Sequence, residues 1–537
     1  MALLDGYEPR SFTANLKSGK SNGGYQQEME THAAGRRYST VTQFNPNNLR
    51  SFDKANGNLD PIREEYKGER KNTISMETLG LGQLALFKDE DDIAGKNAAT
   101  LFSAYTTPGP KERATSERKK ANLGVMLGVY LPTIQHILGV TMFIRLFWVV
   151  GMAGVGMTAL LLLLCCLCTL LTSISLSAVA TNGVVESGGA YFMISRNLGA
   201  EFGSAVGILF YLANTVATSM YLVGGVEVML MYLFPVMTLG NREQIENEEA
   251  GLFSMMTNNY RIYGTLFLLL EVLIVAMGVK FVQLMAPVSL MCVILAILAC
   301  FAGGVEKALA PDRGIRVCDL NNSLLVTSVL KKEFIASGVG NNSYDEDVCN
   351  LCSKEVITSR YCGPGKSEAD CTLITAHELE CINGFTGFKY ETLKQNMFEI
   401  YLDQDEAKPG YIGMKGVEVT QDARTSFFIL LAIYFPAVTG IFTGTNMSGD
   451  LADPQASIPA GTIAAQVSTS IIYYLLAFTF GASIDRRVLR DKFGKSIDNM
   501  MVVAALAWPS PWIVTIGSFL STFGAALQCL CSTFFNR

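Results

Sequence analysis

The stretch LPTIQHILGV, residues 131–140, interrupts a long and nearly uncharged apolar segment. A second apolar segment is interrupted by FPAVTGI, residues 435–441. Proline removes a backbone donor and glycine tolerates unusual dihedral angles, so we expect both helices to unwind there. Unwound backbone persists at bilayer depth only where it is buried in protein or lines a cavity. Matching breaks in two halves of a membrane protein therefore indicate a transporter's binding site. The alternative is that proline and glycine only kink tightly packed helices.

The chain has eight apolar segments close to the length of about 20 residues that crosses a bilayer. Charged residues make up 17% of the chain, against roughly 25% in a soluble protein. These features predict an all-α membrane protein. The predicted spans 1 to 8 lie at about 123–150, 152–181, 200–235, 262–280, 282–304, 425–447, 461–484 and 503–531.

The polar N-terminal region, residues 1–121, has no apolar periodicity and is predicted to be disordered. A basic cluster at residues 111–120 precedes span 1, which is typical of a cytoplasmic flank. The N-terminus also lacks the short apolar core of a signal peptide, so we expect it in the cytosol. The loop at residues 305–424 then falls outside the cell. No feature indicates nucleic-acid binding.

That loop combines cysteines with glycosylation sequons, which favours an oxidising, extracellular location with disulfides. The sequons place candidate glycans on Asn321 and Asn341. A zinc site on Cys349-x-x-Cys352 is the alternative, but the loop has no second pair of that spacing. The pairing is left open by the sequence. The disulfide candidates are Cys318, Cys349, Cys352, Cys362, Cys371 and Cys381.

Each break offers both kinds of backbone group. Free N–H groups at the start of a half-helix suit an anion, and unwound carbonyls suit a cation. Chloride ligands are predicted at the amides of Gly139, Val140, Thr141, Gly440, Ile441 and Phe442. Ligands for a monovalent cation are predicted at the carbonyls of His136, Ile137 and Pro436 and the hydroxyls of Tyr221 and Thr439.

Charged residues inside a membrane are costly and usually functional. Arg145 on span 1 and Glu227 near the outer end of span 3 could pair as part of an extracellular gate, or each could reach the headgroups. Glu271, central in span 4, could be neutral, face other helices, or serve a proton or cation. The sequence has three histidines and no Walker-type phosphate loop, which disfavours an enzyme or an ATP-driven pump.

Seven short stretches resemble the cation–chloride cotransporters, and most closely their potassium–chloride branch. The likeness covers about residues 122–304 and 425–530, and the stretches are specific as a set. They are MLGVYLP at 126–132, ATNGVV at 180–185, YFMISR at 191–196, FP and VTGI at 435–441, SGDL at 448–451, LRDKFG at 489–494 and WPSPW at 508–512.

The resemblance implies a leucine-transporter-like fold of the amino-acid permease superfamily, built from two inverted five-helix repeats. Residues 122–304 would be the first repeat and 425–531 an incomplete second one, followed by a divergent tail at 532–537, so we expect a chain truncated after about eight helices. The same resemblance assigns potassium, the only metal implied, and chloride to the residues named above. It adds Lys492 to Arg145 and Glu227 in the outer gate. His136 stands where the family usually has asparagine.

The implied function is electroneutral, sodium-independent symport of potassium and chloride across the plasma membrane, serving cell volume and chloride homeostasis. No cofactor is implied. Expected partners are membrane lipid, the two ions, a second copy or a full-length paralogue, and regulatory kinases. One alternative, a sodium–potassium–chloride cotransporter, would need hydroxyls on span 8, where Gly524-Ala525 stand. Another is an amino-acid permease of the same superfamily. A third is a truncated form that transports nothing and inhibits full-length partners.

Overall fold

The structure of the chain is a computed structural model. It describes residues 123–139, 141–183, 189–240, 254–277, 279–336, 348–362, 368–446 and 448–535. The predictions of a disordered N-terminal region, a chloride ligand at Val140 and a glycan at Asn341 lie outside the described residues.

Within these ranges, eight helical segments are long and apolar enough to cross a membrane, in agreement with the eight predicted spans. We keep the names span 1 to span 8 for them. They are Met126–Ile144, Leu146–Thr181, Ala200–Leu233, Met255–Ala276, Met285–Leu309, Phe427–Asn446, Pro454–Ser483 and Pro511–Ser532.

The boundary between spans 1 and 2 lies inside one continuous helical stretch, Leu146–Thr181. Gly154 divides it, because its backbone is not helical (φ 72°, ψ 164°). A side chain there would clash, since a Cβ atom would lie 2.4 Å from the carbonyl oxygen of Phe398. Residues 146–153 therefore continue span 1 and residues 155–181 form span 2, close to the predicted division at 150–152.

Several spans begin or end away from their predicted limits because of capping residues and prolines. Span 4 begins at Met255 instead of 262, where the Ser254 hydroxyl accepts a hydrogen bond from the amide of Thr257. Span 7 begins at Pro454 instead of 461, capped by Asp453. Span 8, predicted from 503, is divided into a short helix Val502–Leu506 and the helix Pro511–Phe535. Span 5 belongs to a longer helix, Val279–Leu309.

Spans 1 and 6, which contain the two predicted helix breaks, both contact other spans. Span 7 packs along span 2, and span 8 packs against both span 3 and span 5. The segment between spans 2 and 3, predicted as a loop or a re-entrant piece, contains the helix Gly189–Leu198. The short helices elsewhere are Pro235–Met237, Pro311–Arg313, Ser448–Asp450, Arg486–Leu489 and Lys495–Ile497.

The loop at residues 305–424 folds around its own apolar cluster, which includes Leu330, Ile357 and Tyr361. Its three-stranded antiparallel sheet has the order β2-β1-β3, and a separate hairpin pairs β4 with β5. The strands are β1 Arg316–Leu320, β2 Ser323–Leu324, β3 Leu379–Asn383, β4 Glu406–Lys408 and β5 Tyr411–Ile412. The helices are Thr327–Ala336, Val348–Leu351, Lys354–Tyr361, Glu368–Ala376 and Tyr390–Gln395.

All six loop cysteines form disulfides, so the zinc alternative is not seen. The pairs are Cys318–Cys352, Cys349–Cys381 and Cys362–Cys371. Cys318 and Cys381 face each other across β1 and β3, and each is joined to the end of a helix instead of to its neighbour. The sequon residue Asn321 is half-buried in the tight turn between β1 and β2. Its glycosylation stays a prediction.

Candidate ion-binding site

The first predicted break is present in span 1. The helix Leu131–Ile137 ends at Leu138, whose backbone is no longer helical (φ −76°, ψ 52°). The amide of Gly139 then donates to the carbonyl of Ile137 at 2.8 Å, and helix resumes at Thr141–Ile144. A bond that spans only two residues is typical of an inverse γ-turn. The backbone is therefore unwound in the middle of this span.

The second predicted break is present in span 6. The α-helix Phe427–Tyr434 tightens into a 3₁₀-helix, Phe435–Val438, where Pro436 has no amide to continue the α-helical pattern. Gly440 has a positive φ of 114°, which a residue with a side chain rarely adopts. The chain returns to helix at Thr443–Asn446.

The two breaks meet in the interior of the protein. His136 Nδ1 lies 2.5 Å from the hydroxyl oxygen of Thr443, which joins span 1 to span 6. A Cβ atom on Gly440 would lie 2.9 Å from the His136 ring, so the glycine allows this approach. The hydroxyl of Tyr473 lies 2.6 Å from the Ile137 carbonyl oxygen and 2.7 Å from that of Ala437.

The predicted cation ligands form carbonyl–hydroxyl pairs at this meeting point. The Tyr221 hydroxyl donates to the carbonyl of His136 at 3.3 Å. The Thr439 hydroxyl donates to the carbonyl of Pro436 at 2.7 Å. Ile137 has the Tyr473 hydroxyl as its partner. Each of the five predicted residues thus contributes one oxygen atom to a carbonyl–hydroxyl pair, and Tyr473 supplies the partner of Ile137.

The predicted anion ligands divide into two groups. Among the described residues, no acceptor pairs with the amides of Gly440, Ile441 and Phe442. The amide of Gly139 differs from expectation, because it is already bonded to the carbonyl of Ile137 and is not available to an anion in this conformation. The side chain of Thr141 is not described. The span 6 amides are therefore the candidate anion donors that the structure leaves open.

The predicted gate residues form two ion pairs. Arg145 Nη2 donates to both carboxylate oxygens of Glu227, at 2.9 and 2.8 Å, and both side chains are buried. Lys492 does not join this pair directly. Its ammonium lies 2.6 Å from Asp422 and 5.3 Å from the centre of the Trp148 ring. Burial alone would raise the pKa of Asp422, but Lys492 and Arg145 outweigh it and hold that pKa below its usual value.

The chain is similar in sequence to proteins that are already known. A family model described as amino acid permease matches residues 128–328 and 390–533. The chain belongs to the amino acid permease family. Potassium/chloride cotransporter 3 of Caenorhabditis elegans is 60% identical over 512 residues, which cover 93% of this chain and 47% of that protein. The chain therefore spans about half the length of this curated relative.

These findings confirm two predictions: the resemblance to the potassium–chloride cotransporters, and a multi-pass membrane protein of the amino-acid permease superfamily with helical spans. The roles of the individual site residues stay predictions. Within the described ranges, no group of three or more histidine, cysteine, aspartate or glutamate side chains could hold a metal ion.

The permease fold also brings to the site three side chains that the sequence analysis missed. Besides Tyr473, Ser521 of span 8 donates its hydroxyl to the Leu138 carbonyl at 2.6 Å. The Cys529 sulfur lies 3.1 Å from His136 Nε2. A tyrosine in an apolar span is one available signal, because its buried hydroxyl needs a partner. Which partner it finds depends on helix packing, which one sequence does not show.

Proposed function

We propose that this chain forms the ion-binding core of an electroneutral, sodium-independent potassium–chloride symporter. The observation that supports it best is the meeting of two helix breaks, where carbonyl and hydroxyl oxygens lie in pairs and where, among the described residues, the amides of Gly440, Ile441 and Phe442 have no acceptor. The name of the 60% identical relative, potassium/chloride cotransporter 3, agrees with this ion pair.

Potassium would bind by replacing hydrogen bonds with direct coordination. The hydroxyls of Tyr221 and Thr439 now donate to the carbonyls of His136 and Pro436. When a cation arrives, each hydroxyl can rotate its hydrogen away and offer a lone pair beside the carbonyl oxygen. Carbonyl oxygens replace the water shell of potassium in other membrane proteins. The carbonyl of Ile137 completes the proposed set.

Chloride would bind at the amides of Gly440, Ile441 and Phe442, with Val140 and Thr141 as further predicted donors. Unpaired amides at membrane depth are unfavourable, because no water replaces the missing acceptor. An anion removes this penalty. It would also lie close to the cation and attract it, so each ion favours binding of the other. This mutual attraction is the physical basis proposed for moving the two ions together with no net charge.

Sodium independence is supported by the packing around span 8. A Cβ atom on Gly524 would lie 2.2 Å from Gln135 Nε2 and 2.7 Å from the Ser289 hydroxyl oxygen. A serine at this position would therefore displace its neighbours. The hydroxyl ligands expected in sodium-coupled relatives are absent from Gly524 and Ala525, and the space next to Gly524 is filled.

Two further parts of the proposal concern orientation and access. The three disulfides of the loop at residues 305–424 are typical of an oxidising compartment, which supports placing this loop outside the plasma membrane and the N-terminus in the cytosol. The Arg145–Glu227 pair, with Lys492 nearby on Asp422, would form the outer gate.

The test is chloride-dependent rubidium uptake into cells, with external sodium and chloride removed in turn. Uptake should need chloride and not sodium. Losing one hydroxyl ligand to a charged group removes about 1.5–3 kcal/mol, so Tyr221→Phe or Thr439→Val should weaken the apparent potassium affinity roughly 10- to 100-fold. Tyr474→Phe is the matched control, since Tyr474 donates to the Ala159 carbonyl away from the breaks. Potassium affinity that stays unchanged in both site variants would refute the cation site.

Amino-acid transport is a second candidate, favoured by the family model, which describes amino acid permeases. A substrate carboxylate could accept from the amides of Gly440, Ile441 and Phe442 in place of chloride. In that case the cells would take up labelled neutral amino acids without chloride, and rubidium uptake would not depend on the chain. The opposite pattern would exclude this candidate.

A further inference from the structure

Glu271 is a buried acid to which the described part of the chain offers no hydrogen-bond partner. It lies on span 4, Met255–Ala276, with a fully buried side chain. Neither of its carboxyl oxygens has a hydrogen-bond partner among the described residues. Glu227 on span 3 is buried to nearly the same extent, yet both of its oxygens accept from Arg145. The two intramembrane glutamates are therefore electrostatically different.

The Glu271 side chain lines a small cavity between spans 3, 4 and 8, with room for about one water molecule. The other walls include Tyr221, Gly225, Phe267, Phe519 and Thr522. None of the lining residues carries a positive charge. Tyr221 belongs to both the cavity and the proposed cation site, since it lines the cavity and its hydroxyl donates to the carbonyl of His136. The cavity thus adjoins the proposed cation site.

We propose that Glu271 is a proton-binding site, occupied by one proton at neutral pH. An ionised carboxylate without a counter-ion is strongly unfavourable in a low-dielectric interior, whereas the neutral acid is tolerated. The cavity supplies no cation to balance the charge. A proton is the ligand that removes the charge within this space.

The titratable groups around Glu271 belong to the packed neighbouring spans. Span 3 contributes Tyr221 to the cavity. Span 8 also carries Cys529, whose sulfur lies 3.1 Å from His136 Nε2. Span 5 contributes no residue to the described cavity wall. His136 is therefore the competing site for a proton, and the experiment has to separate it from Glu271.

The proposal is tested first without transport. Infrared spectra of the purified 537-residue chain at neutral pH should show the C=O stretching band of a protonated carboxylic acid. Glu271→Gln should remove this band. Glu227→Gln should leave it in place, because both Glu227 oxygens accept from the Arg145 guanidinium. If the wild-type and Glu271→Gln spectra show the same acid band, or neither shows one, the proposal is wrong. Should Glu271→Gln not fold, Glu271→Asp replaces it, and an acid band of unchanged frequency would overturn the assignment.

A second arm rests on the proposed function. A negative charge appearing roughly 10 Å from a bound cation, at an effective dielectric constant of about 20, changes the binding constant on the order of tenfold. Alkaline pH should therefore raise the apparent rubidium affinity of the wild type by about that factor. The increase should persist in His136→Asn and vanish in Glu271→Gln. An increase that vanishes only in His136→Asn would place the proton on the histidine. If the wild type takes up no rubidium, the proposed function fails, and the infrared result alone decides on Glu271.

Discussion

Replacing Glu227 by glutamine removes one charge of a buried ion pair and leaves the Arg145 guanidinium without its nearest counter-ion. The exposed fraction is 6% for Arg145 and 7% for Glu227, so water does not compensate for the loss. Removing one partner of a buried pair costs about 3–5 kcal/mol. Asp422 also attracts Arg145, although it is paired with Lys492. We therefore expect Glu227→Gln to lower the free energy of unfolding by about 3 kcal/mol, the lower end of this range.

The assay is a double-mutant cycle measured by unfolding of the purified protein in detergent. Arg145→Met alone leaves the buried Glu227 carboxyl without its counter-ion and its hydrogen-bond donor, and should be destabilising by a similar amount. The cycle is closed by Glu227→Met and by the double variant, Arg145→Met with Glu227→Met, which removes both charges; Glu227→Gln is the comparison that keeps the side-chain shape. Replacing a buried pair with apolar residues of similar volume is often neutral or stabilising. The double variant should therefore be more stable than either single variant, which requires a coupling energy above about 3 kcal/mol when each single variant loses about that much.

Two results would refute this reasoning. A Glu227→Gln protein within about 0.5 kcal/mol of the wild type would show that the pair contributes little, as exposed pairs do. Effects that simply add in the double variant would show that Arg145 and Glu227 act independently.

Two further predictions concern the span 6 break and the neighbouring ion pair. Gly440→Ala introduces a clash at a positive φ, so it should lower the free energy of unfolding by about 1–3 kcal/mol and sharply reduce rubidium uptake. The control is Gly410→Ala, which is also at a positive φ but has open space around it and should leave rubidium affinity unchanged. Equal losses in the two variants would contradict a local effect of Gly440. Asp422 has a lowered pKa in the fold, so its contribution to stability is present above the ordinary aspartate pKa and is lost as pH falls through the lowered value. The free energy of unfolding, measured against pH, should fall less on acidification in Asp422→Asn than in the wild type. Identical pH profiles would argue against a stabilising role of the Asp422 charge.

The helix breaks were predictable because their causes are local. Pro436 removes a donor wherever it stands, and Gly440 permits a backbone that other residues avoid. Pro132, in contrast, lies inside the helix Leu131–Ile137, and span 1 unwinds only after it, at Leu138 and Gly139. The start of span 7 was equally readable, since Asp453 followed by proline is a common way to begin a helix. The start was predicted too late, at 461, because the prediction followed where apolar residues begin and not where the capping residue lies. Gly154 was harder, because its requirement comes from the distant Phe398 backbone.

The remainder of the site depends on which helices pack together. The residues next to Tyr473 in the sequence do not predict that its hydroxyl lies between carbonyls of spans 1 and 6. The sequence left the disulfide pairing undetermined for the same reason. Cys318 and Cys381 face each other across β1 and β3, yet each forms its disulfide with a different cysteine. Span 8 likewise supplies both Ser521 and Cys529 to the broken part of span 1.

The two membrane glutamates show what packing decides. In the sequence, Glu227 and Glu271 are both lone acids in apolar spans, and each could carry a charge or a proton. Packing gives Glu227 a guanidinium with two hydrogen bonds, so its charge is balanced where it lies. It gives Glu271 a largely apolar and aromatic cavity wall, and no described residue donates a hydrogen bond to either of its oxygens. The same residue type therefore supports a charged pair at one depth and a neutral acid at another, and the difference comes from the neighbouring helices alone.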